Sequence, residues 1–208
     1  MALKAPVKES FERELIPEDS HQAVCYAVID LGTHKSEWNG EERDRHEVVL
    51  SFEIPSLRIE YEKDGENFEG PKVISKRYTF SMSEKANLRK DMETWRGKPF
   101  TNLEAADFDF ESLIGVNAIL QVMHKEKKDG NKYAFIASIT KILKGMEKLK
   151  PENPPMFFTF IAPYVDENGC HWPESMPEWM QKYIMESLEY GWILDKPDSK
   201  LDDDGVPF

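Results

Sequence analysis

The sequence has few cysteines and lacks a long apolar run. Only Cys25 and Cys170 are cysteines among its 208 residues, which is too few for a disulfide framework and is typical of reduced thiols in the cytoplasm. No segment is apolar over the roughly 20 residues that a membrane span requires. Residues 1–20 also lack the apolar core of a secretory signal. We therefore expect a cytoplasmic protein.

Recognisable catalytic motifs are missing as well. The sequence has no G-x-S-x-G, no P-loop, no H-E-x-x-H and no paired C-x-x-C. Two weaker patterns are a nuclease-like Glu126–Lys128 with Asp107 or Asp109 upstream, and a partial zinc site, Cys170-His171 with Cys25 and His21. The first is frequent by chance in a chain this rich in Glu and Lys, and a buried thiol beside a surface imidazole explains the second. We expect no enzymatic activity, no cofactor and no metal.

Charge is plentiful but unevenly distributed. The net charge of −12 argues against a polyanionic ligand, yet residues 151–208 contribute −9 of it and residues 35–69 hold eleven acidic and five basic residues. Residues 72–98 and 120–150 each carry eight basic and three acidic residues, a net charge of +5. Because the acidic excess lies in an insertion and a tail, the two basic segments remain candidates for binding nucleic acid.

Strand patterns dominate the first 140 residues. The predicted strands are 22–32, 46–55, 73–82, 116–127 and 132–143. Hairpin turns are predicted at Asn39-Gly40 and Asp129-Gly130, and the polar residues 33–45 are interpreted as a hairpin loop. Residues 83–95 are predicted as a helix with Ser83 as N-cap and with Leu88, Met92 and Trp95 on one face, and 109–115 as a short helical turn.

This element order, with one helix between the third and fourth of five strands, is that of an OB-fold, a five-stranded Greek-key barrel. Another small barrel or sandwich would give the same order, so mainly β is the broader prediction. We expect an N-terminal arm (1–20), an OB-fold nucleic-acid-binding domain (21–150), a strap and helix packed on the barrel (151–194), and a disordered acidic tail (195–208). The helix of the extension is predicted at 175–191, with a Ser175/Glu178 capping box and with Trp179, Tyr183 (or Ile184) and Leu188 on its apolar face.

Aromatic residues accompany the cations of both basic segments. Single strands are held by cations that follow the phosphates and by aromatic faces that stack on bases. We predict that the nucleic-acid site includes Lys76, Tyr78, Arg96, Lys98, Lys125, Lys127, Lys128, Lys132 and Tyr133. Trp95, Phe100 and Phe80 are instead expected in the core.

The segment "LDDDGVPF" at residues 201–208 is unusual for a surface tail, because its one aromatic side chain comes last. It resembles the C-terminal tip of bacterial single-stranded DNA-binding proteins, which recruits replication and repair enzymes. The resemblance implies that Asp202, Asp203, Asp204, Pro207 and Phe208 bind partner enzymes, with the aspartates steering towards a basic surface and Phe208 offering a ring and a carboxylate. Gly205 departs from the bacterial pattern.

The body of the chain shows a second resemblance, over roughly residues 20–145. "FSMSEKANLRKDMETWRGKPFT" and "FDFESLIGVNAILQVMHKEKKDGNKYAFIASITKI" resemble a bacteriophage-encoded family of OB-fold single-stranded DNA-binding proteins. The resemblance implies a phage protein that coats single strands during replication or recombination in the host bacterial cytoplasm. We therefore expect sequence-independent binding of single-stranded DNA. A monomer is the simpler expectation, because the long C-terminal extension would occupy the surface that other OB-fold proteins use to assemble.

Two other functions remain open from the sequence alone. A protein that mimics the acidic tip could bind host enzymes without binding DNA, and a metal-dependent nuclease could be built around Glu126 and Lys128. RNA is also a candidate ligand, because stacking and phosphate contacts do not distinguish the sugars.

Overall fold

Five long strands form the body of the protein. The computed structural model describes residues 14–63, 65–166 and 168–194. The strands are β1 (Ser20–Trp38), β2 (Glu41–Lys63), β3 (Glu66–Thr79), β4 (Asn117–Glu126) and β5 (Lys132–Thr140). They pair antiparallel in the order β3-β2-β1-β4-β5, and β3 also approaches β5. The prediction of a mainly β chain is thereby confirmed.

Two of the hairpins are longer than the sequence patterns predict. Residues 33–45, interpreted as a loop, are paired strand, and β2 continues through Lys63 to pair with β3 as far as Glu66. Residues 33–45 therefore form a paired ribbon rather than a loop, and the ends of β2 and β3 form a second ribbon; both carry part of the acidic excess of residues 35–69. Asn39 and Gly40 form the first turn with φ of 54° and 81°, the left-handed conformation that a two-residue hairpin requires.

Short helical segments connect β3 to β4. They are α1 (Asn87–Arg96), α2 (Asn102–Ala106) and a 3-10 turn (Glu111–Leu113). The predicted start at Ser83 was wrong, because the Ser83 carbonyl accepts the Ala86 N–H at 2.9 Å in a preceding turn and Ala86 is the N-cap. The capping box in this region is at α2 instead, between Thr101 and Glu104.

One hydrophobic core lies between the sheet and α1. Trp95 is 4% exposed and its Nε1 donates to the Asn117 carbonyl at 2.8 Å. The prediction of core positions for Trp95 and Phe100 is confirmed, since Phe100 is also buried. It was wrong for Phe80, which is 37% exposed and packs edge-on against His46 and Phe110.

A second core lies on the opposite face of β1, under the C-terminal residues. Here β6 (Met156–Phe158) runs parallel to β1, followed by a small hairpin of β7 (Val165–Asp166) and β8 (Gly169–Cys170), and then by α3 (Glu178–Met185) and α4 (Leu188–Leu194). Apolar residues of β1, β6 and α3 fill this core, among them Ile29, Phe158 and Ile184, each 0% exposed. The outer face of β1 is therefore covered.

The single helix predicted at 175–191 is two helices. The Ser187 hydroxyl accepts the Tyr190 N–H at 3.2 Å and so begins α4, which contains Gly191. The capping residue of α3 is Pro177, not Ser175. Trp179 is 59% exposed, and the buried face of α3 consists of Met180 and Ile184.

Polar contacts fix the C-terminal residues at two further points. Glu53 on β2 is 0% exposed, and its carboxylate accepts the backbone N–H groups of Glu152 and Asn153 at 2.5 and 2.9 Å. Glu189 on α4 accepts the N–H and hydroxyl of Thr33, both at 2.6 Å. Because a buried carboxylate is costly without such donors, Glu53 ties the segment after β5 to the sheet.

Candidate nucleic-acid interface

The structure divides the nine predicted binding residues among three places. The β4–β5 hairpin holds Lys125, Lys127, Lys128, Lys132 and Tyr133, whereas Lys76 and Tyr78 lie on β3 beside Asp91, and Arg96 and Lys98 lie beside Glu104. The end of α1 meets the far end of β5, because the Thr94 hydroxyl donates to the Ile139 carbonyl at 2.8 Å. Arg96 is therefore roughly 20 Å along β5 from Tyr133.

The outer face of the β4–β5 hairpin combines cations with aromatic rings. In the register, Lys125 lies opposite Tyr133 and Met123 opposite Phe135, so these four side chains share one face. The Lys125 Nζ is 5.3 Å from the Phe135 ring centroid, and the Lys127 Nζ is 5.9 Å from that of Tyr133. We refer to Met123, Lys125, Lys127, Tyr133 and Phe135 as the hairpin face.

The hairpin face is open to solvent. Met123 is 45% exposed and Tyr133 is 37% exposed, and the ring centroids of Tyr133 and Phe135 are 6.3 Å apart at an interplanar angle of 50°. The opposite face of β4 is instead covered by the chain before β1, since His124 Nε2 lies 2.7 Å from the Ile16 carbonyl. The side of β4 that carries His124 is therefore partly covered, whereas the hairpin face is open.

The lysines of this hairpin carry unneutralised charge. Among the described residues, no carboxylate forms an ion pair with Lys125, Lys127, Lys128 or Lys132. Asp129 is engaged in the turn, where the Asn131 backbone N–H donates to its carboxylate at 3.0 Å and lowers its pKa. Positive charge and aromatic surface are thus presented together.

Tyr78 is placed differently from the prediction. It is 3% exposed, its hydroxyl donates to the Asp91 carboxylate at 2.7 Å, and burial raises its pKa. Lys76 pairs with the same carboxylate at 2.7 Å. The Tyr78 ring has no free face for a base, so we reassign it from base stacking to the core, where it supports the Lys76–Asp91 pair.

Arg96 and Lys98 are held by Glu104. The Arg96 guanidinium lies 3.0 Å from the Glu104 carboxylate and 4.0 Å from the Phe100 ring centroid, and the Lys98 Nζ lies 3.4 Å from the same carboxylate. The Thr101 backbone N–H and then Arg96 lower the pKa of Glu104 to about 2. Through these contacts, the two cations stabilise the end of α1.

Sequence reasoning missed Met123 and Phe135. The signal was present, because Phe135 is two residues from Tyr133 and Met123 two residues from Lys125, the spacing of neighbours on one strand face. Another exposed aromatic pair lies elsewhere, on the acidic β2–β3 ribbon, where Tyr61 and Phe68 stack with their centroids 5.8 Å apart.

The two cysteines lie in different surroundings. Cys25 is in the core, where burial raises its pKa to about 12, and Cys170 is part-buried with a pKa of about 11. His171 pairs with Asp166 at 2.8 Å. Within the described ranges, no three His, Cys, Asp or Glu side chains form a group that could hold a metal ion. The predicted partner-binding residues Asp202, Asp203, Asp204, Pro207 and Phe208 lie outside the described residues.

Comparison with other proteins gives no family assignment. No protein-family model matches the chain, and a search of curated proteins found no match. In the part of the chain that the structure describes, no helix has the length and apolar character needed to cross a membrane.

Proposed function

We propose that this protein binds single-stranded DNA without sequence preference through an OB-fold barrel, in DNA replication or recombination, with the hairpin face as the principal contact. The observation that carries the proposal is the arrangement of that face. Two aromatic side chains lie beside two lysines that no described carboxylate neutralises. Rings that stack on bases and cations that follow phosphates are the two components of sequence-independent single-strand binding.

The strand order supports the OB-fold part of the proposal. An OB-fold is a partly open five-stranded barrel, and here β3 and β5, the two ends of the order β3-β2-β1-β4-β5, approach each other while α1 packs against both. In a barrel of this order, the β4–β5 hairpin lies at one end. In OB-folds this hairpin is one of the loops that flank the binding face.

The binding reaction itself involves no covalent chemistry. A base stacking on Tyr133 or Phe135 would remove apolar ring surface from water, and the adjacent lysines would displace condensed counterions from the phosphates. The affinity should therefore fall steeply with salt. We further propose that residues 201–208 recruit partner enzymes, with charge steering by the aspartates and ring insertion by Phe208.

Fluorescence anisotropy of a labelled oligo-dT of about 30 nucleotides, long enough for one barrel that covers about 4–16 nucleotides, tests the proposal. The full chain and a chain lacking residues 201–208 are titrated at about 50 and 200 mM salt. We expect salt-sensitive binding by both proteins, equal or tighter without the tail.

Absence of binding by both proteins would overturn the proposal and leave the tip as the functional element. Shortening of the oligonucleotide in the presence of a divalent metal would instead identify a nuclease. An equal titration with oligo-U separates a preference for DNA from general single-strand binding.

A further inference from the structure

A second basic surface lies away from the hairpin face. A groove of about 440 Å³ runs between the end of β3 and the start of α1. Four cationic side chains line it, namely Arg45, Lys76, Arg77 and Lys85, together with the hydroxyl residues Thr79, Ser81 and Ser83. None of the described lining residues is acidic.

Two of the groove's cations are held in place by one carboxylate. Glu47, whose side chain is 8% exposed, lies 3.2 Å from Arg45 Nε and 3.1 Å from Arg77 Nη1. The two arginine side chains remain 44% and 40% exposed. One buried negative charge therefore orients two positive groups that still face solvent.

The C-terminal extension also supports this groove. The Arg77 guanidinium lies 4.5 Å from the Tyr183 ring centroid, and the Tyr183 hydroxyl donates to the Glu47 carboxylate at 2.9 Å. Arg45 Nε also donates to the Thr79 hydroxyl at 3.0 Å. The rotamers of both arginines are thus restricted before any ligand arrives, which reduces the entropic cost of binding.

The groove has more cations than carboxylates. Glu47 and Asp91 are the described carboxylates that pair with its lining cations, so four cations face two acids, and Lys85 is exposed on the turn before α1. Oriented guanidiniums with nearby hydroxyls match the several acceptor oxygens of a phosphate group.

We propose that this groove binds a backbone phosphate of the single strand, as a contact separate from the hairpin face. The proposal rests on the proposed function, and it assigns Arg45, Arg77 and Lys85 to binding. Removing one phosphate interaction with a single strand changes the slope of log affinity against log salt by about 0.7. That slope reports the groove directly.

The experiment measures oligo-dT affinity across a salt series for Lys85→Ala and for Lys148→Ala. Both lysines are exposed, so neither change should disturb folding, and Lys148 lies outside the groove. We expect the slope to become shallower by about 0.7 for Lys85→Ala and to stay unchanged for Lys148→Ala. Arg77→Lys, which keeps the charge opposite Glu47 but removes the guanidinium fork, should weaken binding several-fold.

The two proposals fail in different ways. If the unmodified protein binds the oligonucleotide and Lys85→Ala leaves the slope unaltered, the groove assignment is wrong and the proposed function stands. If the unmodified protein does not bind, both fall. NMR titration of backbone amides 79–88 with the trinucleotide pTpTpT, compared with inorganic phosphate, separates a strand site from a site for a free anion; equal responses to both would overturn the assignment to a strand.

Discussion

Residues 72–98 and 120–150 each contain eight basic residues and carry a net charge of +5. In the folded protein, however, the basic side chains of the two segments have different surroundings. In 72–98, six of the eight basic side chains pair with a carboxylate. In 120–150, none does so among the described residues. Two segments with the same net charge therefore differ: most cations of 72–98 are held by carboxylates, whereas those of 120–150 remain available to a ligand.

The difference suggests two roles in binding. Paired cations are oriented by their carboxylates and offer geometry, as at Arg77 beside Glu47, whereas unpaired lysines such as Lys127 offer charge and can follow a moving strand. Exposed ion pairs contribute little to stability, at most about 1 kcal/mol each. Removal of the available cations should thus change binding more than folding, whereas replacing a paired cation also disturbs the contacts of its carboxylate.

The largest effect is expected from the rings of the hairpin face. Replacing Tyr133 and Phe135 by alanine removes stacking worth about 1–3 kcal/mol for each base, or roughly 5- to 150-fold in affinity for each ring that stacks. Anisotropy with oligo-dT measures it. The matched control is Tyr61→Ala with Phe68→Ala, the exposed ring pair on the acidic ribbon; an equal decrease in that control would contradict the assignment.

A smaller decrease is expected from reversing the hairpin charges. Changing Lys125, Lys127 and Lys128 together to glutamate should reduce affinity several-fold and flatten the salt dependence, because fewer lysines then neutralise phosphates. Oligo-dT titrations over a salt series measure both.

The control for this change comes from the same basic segment. Lys141→Glu, Lys144→Glu and Lys148→Glu together alter the net charge by the same amount away from the turn. If both triple variants show the same decrease in affinity, long-range attraction rather than contact at the hairpin explains the binding.

Whether a contact could be predicted from the sequence depends on how far apart its two residues are in the chain. The β4–β5 hairpin could be predicted because Lys125 and Tyr133 are joined by a short turn and the alternation continues on both sides of it. The ion pair of Lys72 could not be predicted, since its partner Glu14 is 58 residues away. Sequence charge counts cannot detect such pairs, which the tertiary fold creates.

The long ribbons were missed for a related reason. Both faces of a two-stranded ribbon can meet solvent, so residues 33–45 need no apolar alternation and have the composition of a loop. The C-terminal helices were mispredicted as one helix. The Ser187 hydroxyl accepts a backbone N–H in place of a helical carbonyl, so the first helix ends and α4 begins there. Whether Tyr78 is buried or exposed depends on which face of β3 meets the core. The packing of α1 against β3 determines that face.

A weak effect is expected at Arg96 and Lys98. Replacing both by glutamine should change oligo-dT affinity by less than about two-fold, because Glu104 already neutralises part of their charge. Thermal unfolding should show a slightly lower midpoint for the same variant. A decrease in affinity as large as that of the hairpin triple variant would place these residues in the contact site and remove the distinction between the two segments.

The smallest effect concerns Glu104 itself. Its folded-state pKa is lowered to about 2, mainly by the Thr101 N–H and then by Arg96. A depressed folded pKa means that the stabilisation is present above the unfolded value and is lost as the pH falls from about 4.5 towards the folded value. Thermal unfolding midpoints should therefore fall less steeply below pH 4.5 for Glu104→Gln than for the unmodified protein, while oligo-dT binding at neutral pH stays within about two-fold. Parallel midpoint curves would show that Glu104 contributes no fixed pairing, and Arg96 and Lys98 would then be as available as the lysines of the hairpin.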